Sequence, residues 1–320
     1  MSETQNAFLA LRQYMNNEIV GQEQLIDKML ISLLSDGHLL VEGAPGLAKT
    51  KAIKKMAAAI ECDSHRIQFT PDLLPADITG SDVYRPENGT FVFQKGPIFH
   101  NLILADEINR APAKVQSALL EAMAERQVTV GSTTYILPEL FLVMATQNPI
   151  ENEGTYPLPE AQLDRFLMYV KIGHPDAAAE HRILRIVRGE AKQEAKTPFN
   201  KITQKQVKEA RSEVLNVHLS NELEEYIVQF IIATRNPGAY DPALASYVEF
   251  GASPRGTIAL DMCSKAHAWL SGRDYVMPVD IHAILHDVLR HRILLTYEAE
   301  AQGITPDSFI DTLLNKVPLP

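Results

Sequence analysis

A glycine-rich loop near the beginning of the chain constrains the fold more than any other feature of the sequence. Residues 43–50, GAPGLAKT, follow a short apolar run at 39–41 and precede a stretch with helical periodicity. In this context small residues let successive backbone N–H groups point at phosphate oxygens, and the N-terminus of the helix adds its positive end. The sequence therefore predicts a phosphate-binding loop between a strand and a helix of an α/β fold.

The residues of this loop are expected to share the contacts to a nucleoside triphosphate. Lys49 should reach the β- and γ-phosphates, and the Thr50 hydroxyl should ligate Mg²⁺. Ala48 stands where a second glycine is usual, and we expect it to fit if the backbone there is helical rather than left-handed. The residues predicted to bind the nucleotide in this segment are Gly43, Ala44, Pro45, Gly46, Leu47, Ala48, Lys49, Thr50 and Lys51.

Two carboxylates follow a second apolar run at residues 102–105, where Asp106 and Glu107 stand side by side. A buried strand would bring Asp106 to the edge of the sheet beside the phosphate-binding loop, where ligands bind in such sheets. We expect Asp106 to hold Mg²⁺ together with Thr50, and Glu107 to polarise the attacking water.

Short apolar runs separated by helical patterns predict a parallel sheet covered by helices on both faces. The runs lie at 39–41, 65–69, 102–105, 141–146 and 168–172. Asn148 follows the fourth run and could hydrogen-bond the γ-phosphate or the attacking water. Taken alone, its position before Pro149 is better explained by a turn.

Two segments interrupt this alternation of strands and helices. Residues 71–96 contain three prolines and predict a long loop with short ordered pieces. Residues 128–138 alternate around Gly131-Ser132, which predicts a β-hairpin. After Pro175 only helical patterns remain, with a polar stretch at 189–200 after the first of them, and these patterns predict a small helical bundle. We therefore place an α/β core at residues 1–173 and an α-helical lid domain at residues 174–320.

The composition argues against several other classes of protein. The two cysteines, Cys62 and Cys263, lie far apart, which argues against a disulfide framework and favours a reducing cytoplasm. The chain has no apolar run long enough to span a membrane, and its first residues lack the pattern of a secretory signal. A net charge of −10 argues against binding to duplex DNA, although a local basic loop remains compatible with it.

The order of the motifs resembles the MoxR family of AAA+ ATPases. The loop is followed by DEINRAP at 106–112, ATQNP at 145–149, LPEAQLDRF at 158–166 and GASPRG at 251–256. The similarity covers nearly the whole chain, and Ala48 is also common in this family. The resemblance implies a chaperone-like ATPase that uses ATP and Mg²⁺ in a ring of identical subunits, most often a hexamer.

The resemblance also implies roles that spacing alone does not show. Asn148 matches the sensor-1 position, and Arg165 matches the arginine finger that reaches the nucleotide of a neighbouring subunit. Arg255 matches sensor 2 and is expected among the residues that bind the nucleotide. Val20 and Gly21 match the segment that packs against adenine. From the residues alone, a surface salt bridge with Asp164 or Glu160 would explain Arg165 better than an arginine finger does.

Partners and rival functions follow from the same resemblance. Relatives act on protein clients, often with a von Willebrand factor A partner, and both interrupting segments face the pore or the client. Helicase-related motors share both segments, but 128–138 carries no Lys or Arg, and 71–96 carries only Arg85 and Lys95. A nucleic-acid motor, a magnesium-chelatase-like subunit and a nucleotide-gated scaffold with little turnover remain as alternatives.

Overall fold

The structure is a computed structural model that describes residues 2–149, 154–191 and 199–319. Most of the polar stretch predicted at 189–200 falls outside the described residues. The helices within these ranges are α1 (Glu3–Glu18), α2 (Glu23–Leu34), α3 (Lys49–Ala59), α4 (Pro75–Thr79), α5 (Ala113–Glu125), α6 (Glu160–Leu163), α7 (Ala177–Ala191), α8 (Gln204–Leu215), α9 (Asn221–Arg235), α10 (Pro254–Leu270), α11 (Pro278–Leu289), α12 (Tyr297–Ala301) and α13 (Pro306–Leu314).

The strands form one central sheet and three small antiparallel pairs. They are β1 (Leu39–Glu42), β2 (Ser64–Gln68), β3 (Gly80–Arg85), β4 (Thr90–Lys95), β5 (Leu102–Asp106), β6 (Gln127–Val130), β7 (Thr133–Ile136), β8 (Leu142–Gln147), β9 (Met168–Lys171), β10 (Val248–Phe250) and β11 (Leu294–Leu295).

The central sheet contains the five strands that the apolar runs predict. Its order is β2-β5-β8-β1-β9, and every pairing is parallel. Successive side chains of a strand point to opposite faces. Accordingly, Leu39 and Val41 enter one buried cluster, and Leu40 enters the other. The predicted α/β fold with a parallel sheet between helices is confirmed, and the strands that precede Gly43, Glu107 and Asn148 all end at one edge of the sheet.

The segment 71–96 differs from the predicted long loop. After α4, the strands β3 and β4 pair in register from Gly80↔Lys95 to Arg85↔Thr90 and form an antiparallel hairpin. The prediction gave weight to the prolines and overlooked the β-branched and aromatic residues on both sides of an Asn-Gly turn, which is a strong hairpin signal. Gly80 has a φ of +91°, and a Cβ there would lie 2.2 Å from the Gln94 carbonyl oxygen. Only glycine therefore fits at the base of this hairpin.

The hairpin predicted at 128–138 is present as the antiparallel pair β6–β7. Its turn contains Gly131, which has a φ of +60°. The rings of Phe93 on β4 and Tyr135 on β7 stack with centroids 3.9 Å apart. This aromatic contact joins the two hairpins to each other on the same side of the molecule.

The region after Gly173 is mainly helical, but it is not helical alone. Strands β10 and β11 form a short antiparallel ribbon there, which the sequence analysis did not predict. Lid helices also pack against the N-terminal helices, as when Phe8 meets Trp269 with ring centroids 5.5 Å apart. The boundary at 173/174 stays a prediction, because one buried cluster runs from the sheet into the lid helices. Among the helices in the described ranges, none has the length and apolar character needed to cross a bilayer.

A buried carboxylate fixes the turn between α10 and α11. The side chain of Asp280 is fully buried and accepts hydrogen bonds from Arg273, from the His267 ring and from the Met277 amide at 2.5–2.7 Å. Burial by itself raises the pKa of this carboxyl. The three donors outweigh burial and lower the pKa of Asp280 to about 2.

Replacing this carboxylate should destabilise the lid. We expect Asp280→Asn to lower the free energy of unfolding by about 2–3 kcal/mol at pH 7, because the native state stabilises the ionised form. A lowered native pKa gives stabilisation that is complete above about pH 4 and is lost as the pH falls towards 2. Urea denaturation followed by circular dichroism should show this difference shrink over that interval.

The matched control is Asp311→Asn, since the side chain of this aspartate is 66% exposed and lies 2.9 Å from the half-buried His286 ring. We expect the control to change stability by less than about 0.5 kcal/mol. Equal stability of Asp280→Asn and the wild type at pH 7 would contradict the assignment.

Candidate nucleotide-binding site

The phosphate-binding loop opens onto a cavity that residues from distant parts of the sequence share. The loop connects β1 to α3, and α3 begins at Lys49. The cavity has a volume of about 340 Å³. It is lined by Pro45, Gly46, Leu47, Ala48, Lys49, Thr50, Lys51, Arg66, Asp106, Glu107 and Asn148. The structure thus brings the loop, the acidic pair and the predicted sensor-1 asparagine to one place, which we call the phosphate cavity.

The side chain of Lys49 folds back over the phosphate-binding loop. Its ammonium group donates a hydrogen bond to the Gly43 carbonyl oxygen at 2.7 Å. Burial lowers the pKa of Lys49, and the charges of Asp106 and Glu107 act in the opposite direction. Partial shielding from water strengthens the attraction between this ammonium group and the negative charge of a polyphosphate.

The backbone conformation at Ala48 is the less favourable of the two that the sequence left open. Ala48 has φ 58° and ψ 14°, so it is left-handed and not helical. This conformation costs an L-residue about 1–2 kcal/mol, and such strain is typical of ligand-binding loops. Glycine is required at position 43 because of close packing, since a Cβ there would lie 2.4 Å from a side-chain atom of Ile172. Gly43 and Ala44 do not line the phosphate cavity themselves, although the Gly43 carbonyl holds Lys49.

Asp106 ends β5 and is held from two sides. One of its carboxylate oxygens accepts a hydrogen bond from the Thr146 hydroxyl at 2.6 Å. The other oxygen accepts from the Arg66 guanidinium at 2.7 and 2.9 Å. The carboxylate therefore has a fixed orientation at the edge of the phosphate cavity, where Thr50 supplies a second hard oxygen of the kind that Mg²⁺ prefers.

Glu107 adopts the left-handed conformation, with a φ of +57°. Its backbone N–H donates to the Thr146 hydroxyl at 3.0 Å, and its carboxylate accepts from Gln68 at 2.8 Å and pairs with Arg110 at 3.1 Å. Strain of this kind persists where the surrounding contacts fix the residue, and it is concentrated at functional sites.

Three polar residues of this site escaped sequence analysis, namely Arg66, Gln68 and Thr146. Arg66 and Gln68 lie two positions apart on β2 and therefore face the same side of the sheet. Because β2 pairs with β5 in the register Gln68↔Asp106, both reach the acidic pair. The alternation of polar side chains on β2 was visible in the sequence, but the neighbour of β2 in the sheet was not.

Val20 and Gly21 lie apart from the phosphate cavity, in the connection between α1 and α2. Gly21 has a φ of +76°, and a Cβ there would lie 2.8 Å from Pro175 and 2.9 Å from Ala179. The adjacent Gln22 side chain donates to the Gly173 carbonyl oxygen at 3.1 Å. This segment therefore packs where the core meets the lid, and its contact with adenine stays a prediction.

Arg165 and Arg255 line a second cavity, of about 380 Å³, which we call the arginine cavity. Arg165 donates to the Leu120 carbonyl oxygen at 2.8 Å, and Arg255 lies 3.8 Å from Asp164. Within the described ranges, neither arginine lines the phosphate cavity of its own chain. The contact of Arg255 with a nucleotide therefore stays a prediction.

Comparisons with known proteins agree with this arrangement. Residues 38–168 match the model of the ATPase family associated with various cellular activities (AAA), and residues 243–313 match the AAA lid domain. Chaperone MoxR1 of Mycobacterium tuberculosis is 47% identical over 94% of this chain and 79% of its own length. The chain belongs to the MoxR family of AAA+ ATPases. Protein MoxR of Paracoccus denitrificans is 33% identical over 96% of this chain and 94% of its own length.

A solved structure supports the fold of this MoxR family member. A protein from Cytophaga hutchinsonii, described as a candidate ATPase, superposes with a TM-score of 0.90 and 47% sequence identity. The match covers 99% of this chain and 96% of that protein. The phosphate cavity of this chain therefore lies in a fold that belongs to AAA+ ATPases.

The residues of the phosphate cavity fit a triphosphate with Mg²⁺. Gly46 lines this cavity, and a Cβ built on it would meet no atom within 4 Å, so there is open space beside the loop. Lys49 would balance phosphate charge, and Thr50 and Asp106 would hold the metal.

Removal of the loop cation should weaken nucleotide binding. We expect Lys49→Ala to bind ATP about 100-fold more weakly or not at all, since charge-assisted contacts to the phosphates are lost. Calorimetric titration with ATP and Mg²⁺ measures this affinity. Lys54→Ala, on the exposed face of the same helix, is the matched control and should bind as the wild type does. Unchanged affinity of Lys49→Ala would refute its role.

Proposed function

We propose that this chain hydrolyses ATP to ADP and phosphate with Mg²⁺, in a ring of identical subunits. The observation that carries the proposal is the meeting of Lys49, Asp106 and Glu107 in one cavity behind a phosphate-binding loop. Phosphoryl transfer requires mainly positioning and charge neutralisation, and these residues supply both. Bound Mg²⁺ would add neutralisation of the charge on the phosphate oxygens.

Five residues of the phosphate cavity have a part in this proposal. Lys49 binds the terminal phosphates, and Thr50 and Asp106 hold the metal. Glu107 orients the attacking water and accepts its proton, while Asn148 contacts the γ-phosphate or that water. The strained backbone at Glu107 and its contacts with Gln68 and Arg110 support a preorganised carboxylate.

The positions of Arg165 and Arg255 support the assembly of several subunits into a ring. Arg165 and Arg255 share one cavity, and neither lines the phosphate cavity of its own chain in the described ranges. Both would therefore act on the nucleotide of a neighbouring subunit, where their charge stabilises the transition state. A head-to-tail contact of this kind repeats until it closes a ring, and the family resemblance suggests six subunits.

A protein client fits the surface of the molecule better than nucleic acid does. On the β3–β4 hairpin, Tyr84 is 53% exposed and Phe91 is 70% exposed. The β6–β7 hairpin joined to it carries no Lys or Arg between residues 128 and 138. We therefore propose remodelling or maturation of a protein client, with a von Willebrand factor A partner as the resemblance implies. The two free cysteines favour a cytoplasmic location.

Loss of the water-orienting carboxylate should separate binding from turnover. We expect Glu107→Gln to bind ATP as the wild type does and to hydrolyse it about 10²–10⁴-fold more slowly, because general-base assistance is lost. Phosphate release and calorimetry measure the two properties. Glu121→Gln, an exposed carboxylate on α5, is the control. Normal turnover of Glu107→Gln would remove this residue from the mechanism.

The arginine finger should be tested by mixing subunits. We expect Arg165→Ala to bind ATP normally and to lose about 10³–10⁵-fold of its turnover, as fingers do in other nucleotide hydrolases. Addition of Lys49→Ala subunits should restore part of the activity. Each of these subunits offers an intact Arg165 to the intact nucleotide site of a neighbouring Arg165→Ala subunit.

The control for this mixing experiment is the Lys49→Ala/Arg165→Ala double variant, which offers neither an intact site nor an intact finger. It should not restore the activity of Arg165→Ala subunits. A failure of Lys49→Ala subunits to do so at any mixing ratio would count against action between subunits.

A further inference from the structure

The residue before the arginine finger makes an extensive contact with the lid. One carboxylate oxygen of Asp164 accepts a hydrogen bond from Arg292 at 2.8 Å. The other accepts from the Ser253 hydroxyl at 2.9 Å and lies 3.8 Å from the Arg255 guanidinium. Asp164 belongs to the core motif that carries the finger, whereas the other three residues belong to the predicted lid. A single carboxylate therefore joins the finger motif to the lid.

Arg292 holds the other side of the finger as well. Its side chain is only 2% exposed and also donates to the carbonyl oxygens of Phe166 at 2.7 Å and Leu167 at 3.2 Å. The His291 ring makes a contact of 3.1 Å with the same Phe166 carbonyl. Lid residues thus fix the backbone on both sides of Arg165. The position of the lid therefore determines the position of the Arg165 backbone, from which the side chain of the finger extends.

Ser253 connects Asp164 to the second arginine. The Ser253 hydroxyl caps the N-terminus of α10 by accepting from the Arg255 amide at 3.2 Å, and it donates to Asp164. The turn that presents Arg255 is therefore attached to the carboxylate next to Arg165. The arginine cavity is lined by four arginines, Arg126, Arg165, Arg255 and Arg292, whose charges repel one another, and the negative charge of Asp164 in the same lining reduces that repulsion.

We propose that Asp164 is a positioning residue that holds Arg165 and Arg255 as one unit directed at the nucleotide of the neighbouring subunit. This inference rests on the proposed function, because it assigns how the arginines of that function are held. Asp164 itself would not touch the nucleotide. A displacement of the lid from the core would break the contacts of Asp164 and separate Arg255 from Arg165, so turnover in one subunit would depend on the lid position of the next.

The chain offers a matched control in Asp307, a second aspartate that links lid and core. Asp307 accepts from Arg290 at 2.8 Å and from Lys171 on β9 at 3.0 Å. It lines neither the arginine cavity nor the phosphate cavity. Its loss therefore weakens the junction of lid and core without a direct effect on the arginines.

The experiment compares Asp164→Asn with Asp307→Asn in ATP turnover, ATP affinity and thermal midpoint. We expect Asp164→Asn to lower kcat about 10–100-fold with an unchanged Kd for ATP, since small misplacements of catalytic groups cost up to about 10²-fold. Lys49→Ala subunits, which carry an intact Asp164, should restore part of its turnover. Asp307→Asn should keep the wild-type kcat, even if its thermal midpoint falls.

The inference is overturned if Asp164→Asn keeps a kcat within about twofold of the wild type, if mixing restores nothing, or if Asp307→Asn loses as much turnover. Should Asp164→Asn fail to fold, Ser253→Ala decides the matter, with Ser253→Thr as the variant that keeps the hydroxyl. Ser253→Ala should lower kcat and Ser253→Thr should not, and equal kcat values for the two would overturn the inference.

The failures of the two proposals can be told apart. A wild-type protein without ATP turnover would reject the proposed function itself. A wild-type protein that turns over, with a large loss in Arg165→Ala and none in Asp164→Asn, would reject only the role of Asp164.

Discussion

The parallel pairing of β5 with β2 and β8 is the constraint on which the rest of the site depends. Parallel strands end at the same edge of a sheet, so the phosphate-binding loop after β1 and the carboxylates after β5 meet although they are distant in the sequence. The strands are buried on both faces, and the packing of their side chains against the helices of both layers fixes this arrangement. The apolar core thereby places the charged residues.

The same rigidity supports strained residues at the site. Ala48 and Glu107 are both left-handed without being glycine. Ala48 lies directly before α3, where the phosphate-binding loop enters the helix, and Glu107 directly follows the buried strand β5. A conformation of this kind persists only if the surrounding packing holds it. At Glu107 the hydrogen bond from its backbone to Thr146 contributes to this, since Thr146 also orients Asp106. One buried hydroxyl thus connects the metal-binding and water-orienting carboxylates of the proposed mechanism.

Sequence analysis predicted what depends on local pattern. The five strands, the phosphate-binding loop and the β6–β7 hairpin follow from periodicity and turn residues, which act over short distances. It missed Arg66 and Gln68, because their contacts depend on which strand lies next to β2. It left the backbone at Ala48 open, because residue type does not determine the backbone path there, and the structure shows that Ala48 is left-handed. The nucleotide contact of Arg255 stays a prediction, because motif order does not determine where the lid sits on the core.

The central claim is that the loop, Lys49 and the carboxylate of Asp106 together bind a triphosphate with its metal. Isothermal titration of the wild-type chain with ATP, with and without Mg²⁺, tests this most directly. The account predicts one binding site per chain and a higher affinity when Mg²⁺ is present. An absence of binding heat at millimolar ATP with Mg²⁺, confirmed at a second temperature, would contradict it.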